Sequence, residues 1–176
     1  MPRKAGEGNF ISSFYREHTY LGYFVMLRFY VGYVFLLAGW NKYSGGWLNP
    51  APGSSPLAKV LNTWFSGDKP MPPGWYHDLL SRMVLPNAHL FGILVALGEL
   101  AVGVLLLLGL ATRLGGLLAA VMTLNYFLAT KHVGIVYVLE NQMFILAGLL
   151  LMLSAAGRAW GVDFFLRRAL PKGLLW

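Results

Sequence analysis

Two residues in this sequence are costlier to bury than any others, and both lie where burial is unavoidable. Arg28 sits inside the apolar run YLGYFVMLRFYVGYVFLLAGWNK, and Glu99 sits in the middle of AHLFGILVALGELAVGVLLLLGL. A charged side chain at the centre of a bilayer-spanning helix costs about 2.5–3.5 kcal/mol, so each needs a partner or a task. Measured from the side that holds the termini, helical rise puts Arg28 about 12 Å deep and Glu99 about 16 Å deep. The arginine is therefore expected to reach the carboxylate. Asn125, in a third apolar run, comes to nearly the depth of Glu99. Two readings stay open for the three residues. They form a polar lock between helices, or they form a proton or quinone site in which Glu99 accepts a proton and Arg28 orients it.

A second set of polar residues marks the opposite membrane face. Lys42 closes the first run, Lys131 and His132 close the third, and Glu140, Asn141 and Gln142 open the fourth. Such charges can simply meet water and head groups. They can also form a head-group or anion site, with Lys42 and Lys131 beneath a tryptophan-rich loop that acts as a lid. His18, His77, His89 and His132 have no spacing that would set two axial haem ligands face to face, and no pair has the spacing of a metal site, so no metal is expected. The chain has no cysteine, which removes thiolate ligands and thiol relays within it. No segment matches a hydrolase triad, a phosphate loop or a dinucleotide fingerprint.

Composition says what must position these groups. Of 176 residues 57% are hydrophobic and only 12% charged, against roughly 25% charged in soluble domains. The mean hydropathy is +0.57. Lipid must cover much of this surface. The net charge of +7 comes from residues scattered at helix ends, so nucleic acid is not an expected partner. The runs at about 20–42, 88–110, 114–131 and 139–157 predict an all-α fold. It is a four-helix transmembrane bundle forming one domain over 1–176, with short connections between the last three spans. Small residues share the faces of the charged ones: Gly32 and Gly39 with Arg28 and Lys42, and Gly92, Ala96 and Gly103 with Glu99. Membrane helices approach closely through such stripes.

The long extramembrane loop 43–87 is patterned. Ser55-Pro56 reads as an N-cap followed by proline at N1, and Leu57, Val60, Leu61, Trp64 and Phe65 share one helical face until Gly67. Tyr76, Leu79, Leu80, Met83 and Val84 repeat the spacing before Pro86. Two short interfacial helices are predicted, with tryptophans at head-group depth. Both termini fall on the side with more basic residues, which predicts that they are cytoplasmic. The first span is also rich in aromatics (Tyr20, Tyr23, Phe24, Phe29, Tyr30, Tyr33, Phe35). They are more than the inside of one small bundle needs, and they suit contact with another membrane protein.

Three stretches carry a family resemblance. ALGELAVGVLLLLGLATRLGGLLAAVMTLNYF, with Glu99 and the turn Gly109-Leu110-Ala111-Thr112-Arg113, resembles the central signature of the DoxX/DoxD-like membrane proteins. LRFYVGYVFLLAGWNKY is similar to that family's opening helix. ENQMFILAGLLLMLSAAGRAWGVDFFL resembles its last helix, which closes in a glycine-rich turn and an aspartate (Gly157, Gly161, Asp163). By position, Arg28, Glu99 and Arg113 match the family's recurring charged residues. The resemblance implies a four-helix bundle in a bacterial or archaeal plasma membrane, working with other membrane subunits. One branch of the family is the membrane subunit of thiosulfate:quinone oxidoreductase, which implies quinone and no covalent cofactor. A non-catalytic accessory subunit of a larger membrane complex is the alternative.

Overall fold

In the computed structural model, residues 10–51, 54–65, 72 and 74–170 are described, with side chains from residue 22 onward. The expected stop at Gly67 and the expected contribution of Tyr20 lie outside the described residues and side chains. Helix α1 runs Phe10–Ser44, α2 Pro56–Phe65 and α3 Gly74–Leu79. A π-helical turn, Leu80–Val84, continues α3. Then come α4 Ala88–Leu108, α5 Thr112–Thr130, α6 Ile135–Ser154, a 3-10 turn Ala156–Arg158, and α7 Asp163–Ala169. Four of these helices hold segments long and apolar enough to span a bilayer: Gly22–Ser44, Ala88–Leu108, Thr112–Thr130 and Ile135–Ser154. The protein is an all-α integral membrane protein.

The ends depart from the predicted spans for local reasons. The α1 helix continues back to Phe10, beyond the apolar run. The fourth span begins a turn earlier than predicted, after the extended Gly134, and stops at Ala155, whose φ of 48° breaks the helix. In the loop, the Ser55 hydroxyl accepts the Ala58 amide at 3.3 Å, so Ser55 caps α2 with Pro56 in the first turn.

Helix α1 packs along α4 and α5 along α6, with α4 against α5 and α1 against α6 closing the bundle. Glycines set the register of the first pair. A β-carbon on Gly32 would come within 3.0 Å of the Leu107 amide nitrogen, one on Gly39 within 2.7 Å of Leu100, and one on Gly103 within 2.6 Å of Leu36. Each step up α1 is therefore a step down α4, and the backbones touch at three levels. Gly116 and Gly148 bring α5 and α6 together in the same way. Val31, Phe35, Val102, Leu106, Ala119 and Leu151 fill the centre. Leu61, Tyr76 and Leu80 of the loop helices join Ala129 in a second cluster, so the loop is docked onto the bundle.

Candidate functional site

That register overturns the expected pair. It carries Arg28 past Leu107 to the α4–α5 turn, ten residues and about 15 Å along the helix from Glu99. The depth comparison failed because the apolar run of α1 does not begin where its packing against α4 begins. Instead, the Lys42 ammonium donates to both oxygens of Glu99, at 2.8 and 2.7 Å. The Tyr126 hydroxyl donates to Glu99 Oε1 at 2.8 Å. The carboxylate is buried, its side chain only 3% exposed, while that of Lys42 is 23% exposed.

Lys42 can reach so deep because α1 ends short of α4. Above the last turn of α1, the first turns of α4 are covered by the loop: at Gly92 a β-carbon would meet Trp47 and Leu57 at 3.6 and 3.7 Å. The Lys42 ammonium also lies 5.4 Å from the Trp47 ring centre. Under this roof is a cavity of about 590 Å³. Trp47, Trp64 and Met83 of the loop line it together with Phe91 and Val95 of α4. Its polar lining comes from Lys42, Glu99, Asn125, Tyr126 and Glu140. Pockets of about 300–1,000 Å³ with apolar walls and a few placed polar groups are the usual form of a small-molecule site.

A polar contact helps fasten the loop helices to the cavity wall. The Tyr76 hydroxyl donates to Asn125 Oδ1 at 2.6 Å and to the Asn125 carbonyl at 3.0 Å. Burial pushes the Tyr76 phenol up to about 12, so it remains a donor across the physiological range. At the rim, Asn141 donates to the Thr130 hydroxyl at 3.2 Å.

Of the residues singled out in the sequence, the cavity gathers Glu99, Asn125, Lys42 and Glu140. It leaves out Lys131, which is exposed, and Arg28. The two polar sets expected on opposite faces thus merge, for these four residues, into a single site. Tyr126 and Tyr76 were missed, because aromatic residues in an apolar run read as packing. The signal was there in Tyr126, a hydroxyl next to Asn125 and hence near the depth of Glu99.

Arg28 belongs to a separate knot at the other end of the bundle. Fully buried, it donates to the carbonyls of Ala156 and Ala159, both at 3.2 Å, and of Trp160 at 2.9 Å. These carbonyls are released where α6 ends, and a guanidinium fork satisfies three of them at once. Asp163 supplies the opposite charge. Its carboxylate accepts the amides of Ala111 at 2.6 Å and Thr112 at 2.9 Å, at the start of α5. Among the described residues, the non-glycine residues with positive φ are Ala111, Ala155 and Trp160, and all three lie in this knot. Gly109, Gly157 and Gly161 leave the room: a β-carbon on Gly109 would run into the Arg28 guanidinium, and one on Gly157 into Thr112 and Asp163. Burial beside Arg167 and Arg113 lowers the pKa of Arg158 on the same side, partly offset by Asp163. The glycine-rich motifs therefore build the turn end of the bundle, far from the cavity.

The family model described as TQO small subunit DoxD matches residues 23–174. That stretch takes in the turn-end knot and the polar lining of the cavity alike. No solved structure matches the chain.

Proposed function

The chain belongs to the DoxD family, and from that premise we propose that it is the quinone-interacting membrane subunit of an oxidoreductase of the thiosulfate:quinone type, with the cavity over Glu99 as the quinone site. One observation carries the reading. A buried carboxylate, held by an ammonium and a phenol, forms the polar wall of a largely apolar cavity of about 590 Å³. The residues present fit a quinone: aromatic and aliphatic walls suit its ring and tail, and the Lys42 ammonium, with a third N–H beyond the two that Glu99 accepts, is the donor that would hold a carbonyl oxygen. A bound quinone takes up two electrons and two protons. Glu99 is the group that holds a proton for that uptake. Lys42 and Tyr126 keep the carboxylate aimed into the cavity, and the docked loop helices exclude water. Electrons come from a partner subunit. Both termini face the cytoplasm in this reading, which places the site toward the outer leaflet.

The test is Glu99→Gln in membranes that hold the chain with its partner subunits, assayed with thiosulfate and decylubiquinone. Quinone reduction is expected to fall at least about a hundredfold, the scale of general acid–base assistance, while the chain stays assembled. Full activity in this variant would sink the proposal.

A second reading has its own observation. Tyr23, Met26, Tyr30, Tyr33, Leu37 and Trp40 form an outward seam along α1, each 45–79% exposed. Their alternating spacing of three and four residues is that of a helix-packing seam, and a tyrosine hydroxyl such as that of Tyr33 at mid-span finds no partner in lipid. The alternative function is a non-catalytic subunit that stabilises a larger membrane complex through this face. It predicts that Tyr33→Leu with Tyr30→Leu releases the chain from that complex, and that the complex stays active without it.

A further inference from the structure

We propose that protons reach Glu99 through a second, smaller cavity between α1 and α6, with Glu140 as the carboxylate that collects them. The inference rests on the quinone reading above and adds a route to it. This second space, of about 150 Å³, is bounded by Phe35 and Ala38 of α1, Thr123 of α5, and Phe144 of α6. Glu99, Tyr126, Glu140 and Asn141 line both cavities. These four side chains therefore form the wall that the large and the small cavity share.

The shared wall matters because a ring and tail in the large cavity displace the water there. A proton then needs another way in. At about 30 Å³ per molecule the small cavity has room for roughly five waters. It offers them polar partners in Glu99, Glu140, Asn141 and Thr123. Glu140 is exposed in the second turn of α6, near the end of that span, and in this proposal it is the group that exchanges protons with bulk water. In the transfer, protonated Glu140 gives its proton to the adjoining water and becomes a carboxylate. A proton hops along the waters, and the Glu99 carboxylate at the far end becomes the acid. Glu140 then takes a new proton from bulk, so one proton has been gained in all, and it stays on Glu99 beside the Lys42 ammonium until it passes to the reduced quinone.

The full chain in nanodiscs tests this by infrared spectroscopy after a switch to heavy water. Exchange is read at the Tyr126 hydroxyl, assigned by Tyr126→Phe, with the large cavity filled by decylubiquinone. Wild-type protein is expected to exchange as fast with decylubiquinone bound as without it. Glu140→Gln, a change at an exposed position, and Ala38→Phe, which fills the small cavity, are expected to slow exchange at least about tenfold. Added formate, a small diffusible acid, restores Glu140→Gln but not Ala38→Phe. The proposal is overturned if decylubiquinone alone slows exchange in the wild type, or if Glu140→Gln exchanges at the wild-type rate. Failure of the quinone reading shows separately, as no quenching of tryptophan fluorescence by decylubiquinone in wild-type protein, and it would take this inference with it.

Discussion

Lys42 Nζ stands 2.8 and 2.7 Å from the two oxygens of Glu99, so the cation at the end of the first span, and not the arginine inside it, neutralises the carboxylate in the second. The pair explains how a carboxylate survives in an apolar helix. Its partner is anchored at the membrane surface and reaches inward. Removing one member leaves the other buried alone, which costs about 3–5 kcal/mol, whereas replacing both by apolar residues is often close to neutral. Lys42→Met is therefore expected to lower the thermal midpoint of the purified protein strongly. Lys42→Met with Glu99→Leu is expected to recover most of that loss. An additive double variant, read by thermal unfolding in detergent, would contradict the pairing.

Arg28 makes a different kind of demand. Its planar fork serves three carbonyls in the turn after α6, and a lysine offers no such fork. Arg28→Lys is expected to destabilise the fold nearly as much as Arg28→Met, by about 3 kcal/mol or more. The surviving folded protein should still bind decylubiquinone, because the knot lies outside the cavity. Fluorescence quenching at a temperature where the variant is folded checks this.

The glycine cradle in the knot gives a sharper version. Gly157→Ala places a methyl group on Thr112 and Asp163, an overpacking worth about 1–3 kcal/mol. Ala111→Gly acts in the opposite sense. Ala111 has a φ of 45°, a conformation in which glycine carries no steric cost, so this change should be neutral or stabilising. Chemical or thermal unfolding of the two variants, measured side by side, decides the matter.

Docking of the loop helices should depend on alkaline pH. Burial raises the Tyr76 phenol from 10.0 to about 12, so the docked state favours the neutral form. A group whose folded pKa lies above its unfolded one contributes stability that is complete below the unfolded value and is lost as pH rises through the folded one. The contribution is thus full below about pH 10 and gone above about pH 12. Proteolysis of residues 45–87 should accelerate across that window in the wild type. In Tyr76→Phe, susceptibility from this source should be higher at neutral pH and flat across the window.

Much of this protein was decided by composition and periodicity, since both report how a segment is solvated. Four apolar runs in a charge-poor chain must span a bilayer, because lipid leaves backbone groups no other way to be satisfied. Ser55-Pro56 marks a helix start by local hydrogen bonding, and the structure has one there. The faces that bury Glu99 and Gly103 were legible because a small-residue stripe is a property of one helix alone. What only the tertiary structure decided was which buried charge meets which. Pairing depends on the axial offset between two helices, and that offset is set where Gly32, Gly39 and Gly103 let backbones touch. An error of a few turns exchanges Lys42 for Arg28 as the partner of Glu99. The loop's role was likewise a tertiary matter: its helices were predicted from spacing, but the cavity exists only because α1 ends below α4 and Trp47, Trp64 and Tyr76 close over the step.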